Sequence, residues 1–159
     1  VYTNSIINTG ANATGNIGSA SLYFNTLFAT ATTALYADLA EKYTADAEYE
    51  PGTVLVFGGT QEVTQAIGIN DVRVAGVVST NPAYVMNSGM AAEHTVAVAL
   101  TGRVPCFVQG PIARGDLLVS AGNGRARAEQ DPRVGSVIGK ALEDFNGDVG
   151  TIEVVIGKQ

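Results

Sequence analysis

Apolar positions follow three rhythms along this chain. From Val54 to Phe57 and from Val74 to Val78 they run almost unbroken, as in short strands buried on both faces. From Thr151 to Ile156 they alternate, with Ile152, Val154 and Ile156 set against Thr151, Glu153 and Val155. That is a half-buried strand of period two. Before residue 35 they only cluster, as Ile6-Ile7, Leu22-Tyr23-Phe24 and Leu27-Phe28, among Thr, Asn, Ser, Ala and Gly. Leu35, Leu39 and Tyr43 then stand at helical spacing. The alternation of Leu35, Ala37 and Leu39 with Tyr36, Asp38 and Ala40 suits an extended segment equally well. Both readings of residues 35–50 stay open. Pro51-Gly52 marks a turn and the start of a second region.

The pattern predicts a mainly β protein. An extended N-terminal segment, 1–34, is followed by a junction, 35–50, and by a compact β-barrel or sandwich-like domain, 51–159. The leader alone cannot bury enough surface to offset backbone ordering, at about 1–2 kcal/mol per residue. Its aromatics Tyr23, Phe24 and Phe28 argue against plain disorder. An intertwined β segment wound with its own copies fits both facts, and a flexible linker is the alternative.

The second region repeats itself. Pro51-Gly52-Thr53-Val54-Leu55-Val56 is echoed by Arg114-Gly115-Asp116-Leu117-Leu118-Val119. Val72 to Val78 is echoed by Pro132 to Ile138, and Thr95 to Gly102 by Gly150 to Gly157. Two similar β-units, 51–104 and 114–158, are expected about a pseudo-twofold axis. The stretch Ser79 to Glu93 is longer than its partner, Gly139 to Val149, and carries Tyr84, Val85, Met86 and Met90 without a charge before Glu93. It is read either as a subunit contact or as a loop over its own core.

Composition narrows the functions. Charged residues are 15% and glycines number 19, Trp is absent, and the net charge is −6. A nucleic-acid surface needs clustered Lys and Arg, and binding to anionic membranes needs positive charge. No apolar run reaches the length of a membrane span, and Val1 to Gly10 has no signal-like pattern. The chain opens on Val1, so a piece of a longer protein is expected.

Candidate chemistry is sparse. His94 and Cys106 are the sole His and Cys, too few for a zinc site. They stand at the two ends of one predicted strand, roughly 40 Å apart at about 3.3 Å per residue, too far for a thiol–imidazole pair. No metal and no cofactor is expected. Asp38, Glu41, Asp46, Glu48 and Glu50 crowd the junction, as a solvated acidic stretch or as acid–base or calcium groups. Arg114-Gly115-Asp116 reads as a turn entering a strand, by its match to Pro51-Gly52-Thr53.

Several stretches carry a resemblance. They include Asn16 to Ala20, Leu22 to Ala29, Thr32 to Glu41, Tyr49 to Val56, Arg73 to Ala83, Gly102 to Cys106 and Gly135 to Glu143. Together they resemble the C-terminal portion of tail-fibre-like structural proteins of contractile-tailed cyanophages, over nearly the whole chain and in order. More distantly, Tyr36 to Glu41, Gly76 to Ser79 and Gly115 to Leu117 are similar to the self-cleaving chaperone domain of phage neck-appendage proteins.

The first resemblance implies a virion structural protein: a homotrimeric fibre or appendage tip. It would contact other tail proteins and a host glycan or outer-membrane protein, with no nucleic acid and no membrane insertion. Residues 1–34 would end the shaft and the rest would cap it. Trimer contacts would fall on Ile6, Ile7, Leu22, Phe24, Leu27, Phe28, Tyr84 and Met86. Tyr43, Tyr49 and Tyr84 are the candidates for receptor stacking. The second resemblance implies autoproteolysis, with Asp38 and Glu41 the acids to test, although no scissile bond matches. A third reading, a polysaccharide-binding or depolymerising tip, needs a close carboxylate pair in a groove for catalysis.

Overall fold

The structure, a computed structural model, describes residues 9–11, 14–19, 21–26 and 33–157. It is all-β, with no helix among these residues. The chain divides into two units, residues 1–33 and 34–159, and each is described by itself. In the first, Gly15 and Gly18 have positive φ. The backbone N–H of Ser19 donates to Leu22 O, and that of Leu22 to Ser19 Oγ, forming one local turn.

Ten strands build the second unit: β1 (Asp38–Thr44), β2 (Val54–Phe57), β3 (Val63–Gln65), β4 (Val74–Val78), β5 (Tyr84–Met86), β6 (Thr95–Gln109), β7 (Leu117–Gly122), β8 (Arg125–Ala128), β9 (Val137–Ala141) and β10 (Val149–Ile156). The C-terminal half of β6 joins β10, β9, β7 and β8 in a closed five-stranded barrel. A parallel pairing of Val108 with Ala126 closes it. The N-terminal half of β6 joins β1, β4, β2 and β3 in the same order. A parallel bridge from Ala45 to Val63 completes that ring. Each barrel therefore has five strands, closed by one parallel contact between its first and third. The long strand β6 ends one barrel and begins the next.

The two ladders agree residue by residue. Leu55 pairs with Gly76 and Leu118 with Gly139, both 63 positions on. A β-bulge follows each pair. On the last strands the offset is 56, since Val77 faces Ala99 and Lys140 faces Val155. The repeat thus differs in detail from the sequence echoes. It starts one strand earlier, with β1 matching the end of β6. The β4 and β9 echoes slide by three residues relative to Val72–Pro132, and β6 and β10 by one relative to Thr95–Gly150. Identity of short Val-rich strings cannot fix register, whereas the pairing partner can.

The cores repeat as well. One cluster gathers Ala45, Leu55, Val63, Val78, Val96 and Val98, with Tyr43, Tyr49 and Ala75 against it. The same offsets carry these nine onto Val108, Leu118, Ala126, Ala141, Ile152, Val154, Cys106, Ile112 and Ile138, all in the other cluster. On β2, Leu55 serves the first core while Val54 and Val56 serve the second. That strand is buried on both faces, as its unbroken apolar run predicts. The barrels also touch at equivalent positions, where the Arg133 N–H donates to Asn70 Oδ1. Their other mutual bonds, such as Val54 N–H to Gly124 O and Asn70 N–H to Ser120 O, have no reciprocal partners among those of the described residues.

The offsets differ by seven residues because the first barrel has the longer connection before its last strand. That connection holds β5, which adds in parallel to β1. Residues 35–50 contain β1, so the helical option there is not taken. Pairing with β6 on one side and β5 on the other outweighs a local alanine-rich preference.

Candidate functional site

The entry to each barrel is a tight turn. Thr53 N–H donates to Glu50 O, and Asp116 N–H to Ala113 O. The third residues, Gly52 and Gly115, have φ of 97° and 93°. This is the type II arrangement, which needs glycine there and favours proline before it. Arg114-Gly115-Asp116 supplies the second to fourth residues of that turn in the second barrel, its Asp116 carboxylate accepting from Ala113 N–H.

At the first turn, a groove of about 460 Å³ opens on the seam between the barrels. Glu48, Tyr49, Glu50 and Gln65 line it from the first barrel, and Phe107, Asn123 and Arg125 from the second. Phe107 is anchored beneath the turn, its N–H donating to Gly52 O. Asn123 and Gly124, both at positive φ, make the two-residue hairpin that presents Arg125. The Tyr49 hydroxyl donates to an Asp46 carboxylate oxygen and accepts from Gln65 N–H, which fixes the ring. The hydroxyl in turn holds the Asp46 carboxyl below its ordinary value. Among the described residues, the Arg125 guanidinium donates only to Asn123 O, at 3.4 Å.

Asp38 lies elsewhere, 5% exposed, on a cleft of about 190 Å³ with Thr80, Asn81, Arg103 and Glu153. Its Oδ2 has no hydrogen-bond partner among the described residues. Glu41 does not line this cleft, and instead accepts from the Tyr43 hydroxyl at 2.8 Å. The two acids are therefore not brought to one site. Tyr43 packs edge-on against Phe57, at 5.7 Å between ring centroids. Burial, then the Glu41 hydrogen bond and nearby negative charge, push its hydroxyl up to about 12. Its ring is a core support. Tyr84 is 65% exposed on β5, and Met86 is half-buried. Leu22 and Phe24 are exposed, while Ile6, Ile7, Leu27 and Phe28 lie outside the described residues.

His94 immediately precedes β6 and Cys106 lies within it, toward the other end. Cys106 is fully buried, and desolvation pushes its thiol up to about 12, so it is an inert core residue. No group of three or more metal-ligating side chains occurs among the described residues.

Of the residues lining this groove, Glu48, Tyr49 and Glu50 are among the candidates of the sequence, and Gln65, Phe107 and Arg125 are not. The signal was the repeat itself. In the second barrel, the positions of Glu48, Tyr49 and Glu50 hold Pro111, Ile112 and Ala113. No protein-family model matches this chain, and no curated protein matches it.

Proposed function

We propose that this chain is the trimeric C-terminal cap of a phage tail-fibre-like virion protein, with residues 1–34 closing the shaft and the two-barrel domain ending it. The observation that carries the reading is the contrast between the units. The barrels bury their apolar residues in two cores. In the leader, Ile17, Leu22, Tyr23 and Phe24 are each at least two-thirds exposed, and covering them calls for other chains. The resemblance of the sequence to fibre ends supplies the identity of those chains, two further copies. Light scattering tests the reading. It expects three times the chain mass, falling to one on deletion of residues 1–33. A monomeric intact chain would refute it.

A second reading is a trimerisation chaperone that cuts itself from an upstream fibre. Its support is Asp38, buried beside a cleft with no hydrogen-bond partner for its Oδ2 among the described residues. A version carrying upstream sequence would then give two bands on a denaturing gel, and Asp38→Asn one. A single band without substitution would remove this reading.

A further inference from the structure

We infer that the seam groove is a binding site for neutral sugars, one or two hexose units in length. The inference deepens the fibre-tip reading by locating where such a tip would hold a host glycan.

The internal repeat provides the comparison. Both barrels have a depression at the entry turn. In the second it is formed by Pro111, Ile112, Ala113, Asp116, Asp144 and Asn146. The turn hydrogen bonds and the positive-φ glycine are the same in both barrels. The fold is therefore satisfied at these three positions by uncharged residues, with Ile112 only 3% exposed in the core. The first barrel places Glu48, Tyr49 and Glu50 there instead. Among the described residues, neither Glu48 nor Glu50 makes a side-chain hydrogen bond or ion pair, so local stability does not account for them.

The groove chemistry suits a sugar. Tyr49 and Phe107 supply rings, and the Tyr49 ring is pinned by its hydroxyl, so stacking costs little ordering. Carboxylates accept from hydroxyls, and the Arg125 guanidinium and the Gln65 and Asn123 amides donate. Two rings among convergent polar groups, in a concave groove at a boundary between two packed bodies and within about 300–1,000 Å³, have the size and placement of a small-ligand site. Two carboxylates against one guanidinium leave the groove negative, which disfavours uronic and sialic acids.

The test is an NMR titration of the full chain with lactose, diacetylchitobiose and sialyllactose. We expect saturable shifts at Tyr49, Gln65, Phe107 and Arg125 with one of the two neutral sugars. Glu48→Gln with Glu50→Gln, both exposed positions, should weaken that binding at least tenfold with an otherwise unchanged spectrum. Arg125→Ala should do the same. Absence of saturation with either neutral sugar, shifts centred on Tyr84 or Asp38, or tighter binding of sialyllactose would overturn the inference. The mass measurement is independent. A trimer that ignores sugars would sink this site alone, and a monomer that binds them would sink only the fibre reading.

Discussion

Leu55 and Leu118 occupy one position twice. Each is fully buried, each pairs with a glycine, and each ladder then skips one residue, Ala75 in the first and Ile138 in the second. The bulge bends the strand and increases its local twist, which helps a five-stranded sheet to close on itself. The skipped residue also turns inward, since Ala75 packs on the first core and Ile138 joins the second.

Shared burial predicts shared cost. Leu55→Ala and Leu118→Ala should each destabilise the domain by about 2.7–5 kcal/mol, measured by urea unfolding. A loss under about 1 kcal/mol at either site would show that its barrel can collapse around the gap, against the matched cores.

The glycines opposite them are required by close approach. A Cβ on Gly139 would lie 2.1 Å from Val155 O, and one on Gly76 2.6 Å from Ala99 O. Those two carbonyls are themselves equivalent. Alanine at either position should cost about 1–3 kcal/mol or more through backbone displacement. Gly89→Ala is the control, since nothing lies within 4 Å of its added Cβ, and should stay within about 0.5 kcal/mol. Thermal midpoints of the three variants check this directly.

How far the sequence could be read follows from where each signal lives. Strand identity was local: the runs Val54–Phe57 and Val74–Val78 and the alternation Thr151–Ile156 all lie in strands. Register was not local, so the β4 and β9 echoes were placed three residues off. The first strand was hidden because Asp38–Thr44 carries Ala, Glu and Lys, and its place is fixed by partners more than fifty residues away. Tyr49 was legible as an aromatic beside a turn. Phe107 and Arg125 reach the same groove only through the packing of two barrels, which no spacing in the chain encodes.

Cys106 gives a reactivity prediction. With its thiol fully buried and pushed up to about 12, thiolate is scarce at pH 8 and reagent cannot reach it. A chromogenic disulfide should label the native protein only as fast as it unfolds, and label one thiol per chain at once in denaturant. Rapid stoichiometric labelling of the native form would contradict the core position that Cys106 shares with Tyr43.

Tyr49 and Asp46 give a pH prediction. The Asp46 carboxyl is lowered chiefly by the Tyr49 hydroxyl bond, with burial opposing. A depressed folded-state value means that the interaction stabilises the fold above the ordinary aspartate range. That contribution is lost as pH falls through the folded value. Asp46 is exposed, so water screens much of this effect and carboxyl NMR is the better readout. Asp46 should titrate below the ordinary range in the native chain and move back toward it in Tyr49→Phe. An unchanged titration would mean that the ring is not held by this bond, and the pinned wall of the groove would lose its basis.

Leu22 and Phe24 offer the sharpest test of assembly. Both are exposed, at 79% and 69%, so in a chain that stays single their replacement removes nothing buried. In a trimer they would be covered, each contributing about 1.5–3 kcal/mol on full burial. Leu22→Asn with Phe24→Asn should then raise the concentration at which the trimer half-dissociates by well over tenfold, since about 1.4 kcal/mol is one factor of ten. At dilutions where the chain is dissociated, the urea midpoint of the barrels should not move with these substitutions, because Leu22 and Phe24 belong to the other unit. Sedimentation equilibrium across a dilution series separates the cases. Unchanged association of the double variant would place the trimer contacts elsewhere, with Tyr84 on the β5 edge the next position to replace.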